Sequence, residues 1–157
     1  GTLDEGEVCD DGNTSEGDGC HNCAMDCGNG LLGEFKDLTT KHCFKLVETP
    51  AAAWAEAETQ CENWGGTLAV PTTLDEFAFI QNRIRKDTWI GGHRLQAGGI
   101  YEWVTGEPFE MFWQTGQPNP ANAQDMSLPC LYIDGDYLKI SSAECAEAKV
   151  FVCERNE

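Results

Sequence analysis

The residues best equipped for chemistry in this chain are hard oxygen donors and thiols. Asp10, Asp11, Asn13 and Asp18 lie close together in a Gly-rich stretch. Several oxygens on a turn-forming backbone are the donor set that calcium selects. An acidic loop held by cysteines alone is the competing reading. Asn13-Thr14-Ser15 is also an N-glycosylation acceptor, and a glycan on Asn13 would compete with its use as a ligand. Nine cysteines in 157 residues point to an oxidising, extracellular setting where disulfides persist, and an odd count leaves one to bond elsewhere or stay free. Cys20, His21, Cys23 and Cys27 cluster, but without the two-plus-two spacing of a zinc finger or ribbon. His21, His42 and His93 are scattered, and no nucleophile elbow, zincin helix, phosphate loop or dinucleotide fingerprint accompanies them, so the chain reads as a non-enzyme.

Charge narrows the partners. Ten Lys and Arg against 27 Asp and Glu leave a formal net charge of −17, a surface that repels phosphate backbones and anionic lipid. Nucleic acid is excluded on that ground. No apolar run reaches the 18 or so residues of a membrane span, and no signal-peptide pattern opens the chain, so it reads as soluble and already processed, and the cysteines make it a secreted protein.

The elements that must position these groups fall into two regions. Residues 1–33 are dense in Gly, Asp, Asn and Cys and poor in apolar residues, so cross-links or a metal must hold them together. From Phe35 onward apolar residues return in periodic blocks, which places a cored domain over residues 34–157. After Thr49-Pro50, the run from Ala51 to Glu58 favours a helix with Trp54, Ala57 and Cys61 on one face, stopped by Gly65-Gly66. Thr73 with Glu76 forms a capping-box signature for a second helix running to about Arg85, with Leu74, Phe77, Phe79, Ile80 and Ile84 supplying its apolar surface. Short strands are expected over 88–90, 100–104, 130–133, 137–140 and 150–153. Between Glu107 and Pro129 lies an aperiodic stretch, too long for an ordinary connector and therefore functional or anchored.

Two helices followed by a mostly β half indicate an α+β domain. Cys61, Gly65-Gly66-Thr67-Leu68-Ala69, Trp89-Ile90-Gly91-Gly92, Tyr101-Glu102-Trp103, Gly106-Glu107-Pro108, Trp113, Gly116-Gln117-Pro118-Asn119, Cys130, Cys145 and Cys153 together resemble the C-type-lectin-like domain, in order and over about 120 residues. The resemblance implies a double-loop α+β fold with two helices and short antiparallel strands, in which Cys61 pairs with Cys153 and Cys130 with Cys145. Cys43 resembles the second cysteine of the extra N-terminal hairpin of long-form members. Leu32 stands where its partner belongs, so Cys43 is expected to pair back to Cys27 or Cys23. The stretch from Cys9 through Asp10-Asp11-Gly12-Asn13 to Cys20 resembles a short cysteine-rich extracellular repeat, and is similar to the calcium-binding repeats near the Notch cleavage region. Its opening cysteine is missing, whereas Cys27-Gly28-Asn29-Gly30 looks like such an opening.

In sugar-binding members, the resemblance implies one calcium in the long loop, held by a Glu-Pro-Asn or Gln-Pro-Asp triplet, an acidic residue before the third cysteine, and an Asn-Asp pair after a Trp in the following strand. Gln117-Pro118-Asn119 keeps the triplet. Tyr137-Leu138-Lys139 reads as the replacement for Trp-Asn-Asp, and Leu128 for the acidic ligand, with Asp125 or Asp134 open to redirection. A lysine beside a divalent cation opposes its binding, and the Lys139 ammonium fits the vacated position against Gln117 or Asn119. The candidate ligand-binding residues are therefore Glu107, Trp113, Gln117, Asn119, Asn122, Asp125 and Lys139, without the usual calcium bridge. Trp113 reads first as core, and Gln117, Asn119 and Asn122 also serve to satisfy loop backbone. Calcium is assigned instead to Asp10, Asp11, Asn13 and Asp18.

Two functions fit. One is an extracellular recognition module presenting the long loop to a glycan or protein. The other is a structural subunit of a matrix, coat or filament that self-associates through its N-terminal module. Fold alone does not choose between them.

Overall fold

A computed structural model describes residues 27, 34–37, 40–94, 99–106, 109 and 129–156, together with the backbone of 20–21 and 24–25. Strands β1 (Cys20–His21) and β2 (Ala24–Met25) pair antiparallel as a small ribbon. A larger sheet comprises β3 (Glu34–Lys36), β4 (Cys43–Ala52), β5 (Thr67–Leu68), β6 (Thr88–His93), β7 (Glu102–Trp103), β8 (Cys130–Ile133), β9 (Ile140–Ala143) and β10 (Lys149–Arg155). Its spine runs β3-β4-β10-β6-β8-β9, with β5 beside β10 and β7 beside β6. Helices α1 (Trp54–Asn63) and α2 (Leu74–Gln81) complete an α+β fold with the two helices expected. The strands pair antiparallel except β10 with β6, which run parallel.

The central strands are apolar on both faces because both faces are covered. Along β10, Val152 joins a cluster with Phe77 and Ile80 of α2, whereas Phe151 and Cys153 join one with Ala57 and Cys61 of α1. The same alternation sends Ile90, Leu131 and Ile133 to the first cluster and Trp89 and Cys130 to the second. Both buried-side indoles find acceptors: Trp54 Nε1 donates to Ile90 O at 2.8 Å and Trp89 Nε1 to Ala52 O at 3.0 Å, as an indole N–H withdrawn from water requires.

Among the described residues three bridges are present: Cys61–Cys153, Cys130–Cys145 and Cys27–Cys43. The first two follow the pairing that the resemblance implies, and Cys27 is the partner of Cys43. Gly65, at φ +92°, stops α1, and Gly66 N donates back to Cys61 O, closing helix carbonyls that would otherwise lack donors.

Several expectations need correction. The first helix begins at Trp54, because residues through Ala52 remain in β4, whose ladder to β10 extends to Ala52 opposite Lys149. Long-range pairing there overrides the helix preference of alanine. The second helix has the expected Thr73–Glu76 capping box but ends at Gln81, and Leu74 at its first position is 69 % exposed rather than core. Regular pairing in 100–104 is confined to Glu102–Trp103. The strand expected over 137–140 is Ile140–Ala143. Asp134 Oδ1 accepts from the backbone N–H groups of Asp136 and Tyr137, and Leu138 has φ 53°, so this stretch reverses direction instead of extending. β3, β4 and β5 were not foreseen. β4 contains Pro50, whose bond to Thr49 is cis, and lacks clean alternation.

Candidate functional site

Functional groups come together at the base of the long loop and in a pocket lined by His42, Glu76 and Glu154. Of the candidate ligand-binding residues, Glu107, Trp113, Gln117, Asn119, Asn122 and Asp125 lie outside the described residues, as do Asp10, Asp11, Asn13 and Asp18. The loop's two ends are described. Phe109 N donates to Tyr101 O at 3.0 Å and its ring meets Trp103 edge-on at 4.8 Å. On the other side Arg94 N donates to Pro129 O at 2.7 Å. Both ends are thus tied to residues that directly flank β6 and β7.

Lys139 sits in the reversal immediately before β9. The strand that follows β8 therefore carries Ile140, Ser141 and Ser142, with Ile140 and Ser141 buried. Ser141 hydrogen-bonds Tyr132. Burial, followed by the Asp87 charge, holds the Tyr132 phenol above its ordinary value despite that bond. Asp87 Oδ1 accepts from Gly135 N at 3.1 Å and Oδ2 faces Lys149 Nζ at 3.8 Å. The Lys149 ammonium also lies over the Tyr132 ring, 4.5 Å from its centre.

The pocket, about 420 Å³, is lined by residues from several elements, including His42, Gly66, Thr72, Glu76, Thr105 and Glu154. Three ligand-capable side chains converge in it: His42, Glu76 and Glu154 each offer an atom within 4.8 Å of the others'. His42 Nδ1 is 2.5 Å from Glu154 Oε1 and 3.4 Å from Glu76 Oε1. Each carboxylate is held by its other oxygen. Glu154 Oε2 accepts from Val70 N at 2.8 Å. Glu76 Oε2 accepts from the backbone N–H and hydroxyl groups of Thr72 and Thr73 at 3.1–3.2 Å. Burial pushes the Glu154 carboxyl above the ordinary glutamate range, and the Glu76 charge adds to this, against the Val70 N–H and the His42 ring.

Sequence reasoning did not assemble this triad. His42 was one scattered histidine and Glu76 a helix cap. Glu154 lies 112 residues from His42, and no local spacing signals such a meeting.

Residues 51–155 match the lectin C-type domain. The chain belongs to that family. This lectin domain is 28% identical over 122 residues to the CD209 antigen of Pongo pygmaeus, covering 73% of this chain and 28% of the relative. To human CD209 antigen it is 28% identical over 110 residues, covering 66% of this chain and 26% of the relative. The chain spans about a quarter of the length of these curated relatives. Among solved structures it is similar to a calcium-independent type II antifreeze protein, with TM-score 0.70, 25% identity and coverage of 79% of this chain and 92% of that one. It is also similar to the cow CD23 carbohydrate-recognition domain solved in the presence of a GlcNAc2Man3 oligosaccharide, with TM-score 0.68, 28% identity and coverage of 80% and 94%. Among the described residues, no helix of this lectin domain is long and apolar enough to cross a membrane.

Proposed function

We propose that this lectin domain is an extracellular recognition module that binds a glycan or a protein through the Glu107–Pro129 loop and the adjoining β8–β9 surface, without a calcium-bridged sugar contact. The carrying observation is the content of β9. The strand in which the family resemblance puts Asn and Asp after Trp holds Ser141 and Ser142 after Ile140. Replacing a carboxylate and an amide by two hydroxyls removes charge and reach that a calcium site of six to eight oxygens needs. Asp134, the acid open to redirection, uses its Oδ1 on the turn backbone instead. The missing calcium ligands are then those replaced by Ser141 and Ser142, and Lys139, in the reversal before β9, remains a candidate donor to ligand.

The likeness to a CD23 domain solved in the presence of an oligosaccharide supports a glycan as ligand. The likeness to an antifreeze protein whose printed description is calcium-independent supports a scaffold that works without the cation. Three disulfides support an extracellular location. We place calcium, where it binds, at Asp10, Asp11, Asn13 and Asp18. The odd cysteine count favours a second reading, self-association through the N-terminal module, recognisable as disulfide-linked multimers on non-reducing electrophoresis.

The test is a glycan array probed with the full chain in metal-stripped buffer and again with millimolar calcium. Equal binding in both supports the proposal. Binding that appears only with calcium overturns it.

A further inference from the structure

Beyond ligand recognition by the loop, we propose that Tyr137 is a site of tyrosine O-sulfation, its phenol accepting a sulfuryl group from an adenosine phosphosulfate donor and Asp136 presenting it to the transferring enzyme. The proposal rests on the extracellular location given above, since tyrosine sulfation takes place on the secretory route, the oxidising compartment in which disulfides form.

Accessibility singles out the residue. Of the chain's three tyrosines, Tyr101 is 8% exposed. Tyr132 is half-buried, edge-on to Trp89 at 5.9 Å and beneath the Lys149 ammonium. Tyr137 is 68% exposed, and among the described residues its hydroxyl has no hydrogen-bond partner. A nucleophile must be reached before it can react, and only this phenol is offered to solvent.

The reversal that carries it is held from within. Asp134 Oδ1 accepts from Asp136 N and Tyr137 N, both at 2.9 Å. Asp134 N donates to Lys139 O at 2.8 Å, and Leu138 N to Asp134 O at 2.9 Å. The reversal is also seated on the segment after α2, where Gly135 N donates to Asp87 Oδ1 and Gln81 Nε2 to Leu138 O. The backbone on both sides of Tyr137 is therefore fixed, and the ring stands out from a firm base.

Charge selects the group transferred. The sulfuryl donor is a polyanionic nucleotide, so an enzyme that holds it presents cationic surface, to which a tyrosine flanked by acid is drawn. The Asp134 carboxylate is committed to the turn and that of Asp87 faces Lys149. Asp136, exposed and next to Tyr137, has no ion-pair partner among the described residues. In the transfer the phenol oxygen bonds to sulfur and the bond from sulfur to the donor's phosphate oxygen breaks. The electron pair leaves with the phosphate, and the phenol proton passes to a base of the enzyme. The product adds one fixed negative charge at the end of β8 remote from Pro129.

The folded full chain, disulfides intact, is incubated with a purified tyrosylprotein sulfotransferase and radiolabelled phosphoadenosine phosphosulfate, beside Tyr137→Phe and Asp136→Asn. The wild type should take up one sulfate, and Tyr137→Phe none. The initial rate with Asp136→Asn should fall about two- to fivefold, the worth of one exposed charge contact. Peptide mapping of the labelled wild type, which needs no variant, should place the ester on Tyr137. An unlabelled wild type, label mapped to Tyr101 or Tyr132, equal label in Tyr137→Phe, or an Asp136→Asn rate equal to wild type would each overturn the assignment. The readout is covalent label, so it is separate from glycan binding by the loop and from where the chain is found.

Discussion

Removing the Cys61–Cys153 bridge should cost more stability than removing Cys130–Cys145, and the difference can be worked from chain topology. The outer bridge joins residues 92 apart and the inner one residues 15 apart. With the inner bridge intact, the outer loop of the unfolded chain is effectively shortened by the segment the inner one bypasses, and its closure is then worth about 4.5 kcal/mol. The inner closure is worth about 3 kcal/mol. Burial acts in the same direction, since Cys61 and Cys153 are 0% and 1% exposed, while Cys145 is only partly buried against its cluster. The double variants Cys61→Ala/Cys153→Ala and Cys130→Ala/Cys145→Ala should therefore differ by at least about 1.5 kcal/mol. Urea unfolding under non-reducing conditions, followed by tryptophan fluorescence, measures both. The slope against urea should also rise more for the outer variant, because its unfolded chain expands further. An inner-bridge variant as unstable as the outer one would refute the argument from loop closure.

Gly66→Ala should destabilise the domain by about 1–3 kcal/mol, because an added Cβ would lie 2.0 Å from the Glu154 carbonyl oxygen; an unchanged melting temperature would contradict this contact. Thr73→Ala removes the hydroxyl that caps Glu76 N and should lower stability by about 1 kcal/mol in urea titration. Glu58 is held above the ordinary glutamate range by burial, with the Glu62 charge adding and the Leu68 N–H opposing. The folded state thus binds this proton more tightly than the unfolded state does. Its contribution is full below the unfolded value and is lost as pH rises through the folded one. Glu58→Gln keeps an acceptor for Leu68 N, so its melting temperature should gain on the wild type between about pH 4 and neutrality. A difference constant across that range would count against the assignment.

Local signals carried a large part of this protein's description. The two glycines that end α1, the Thr73–Glu76 box that starts α2 and the spacing of Cys61, Cys130, Cys145 and Cys153 all act over a few residues or through family pattern, and each is found where expected. Where neighbours in space compete with neighbours in sequence, the outcome belonged to the fold. Ala51 and Ala52 are strand because β10 pairs with them or beside them, and Lys139 lies in a reversal because Asp134 caps the turn before it. The meeting of His42 with Glu154 depends on the β4–β10 ladder, which sets Glu154 opposite Phe44, the second residue after His42. A side-chain contact across 112 residues leaves no trace in local spacing, so the amino-acid order determined which side chains were available, and only the assembled sheet determined which of them share a proton.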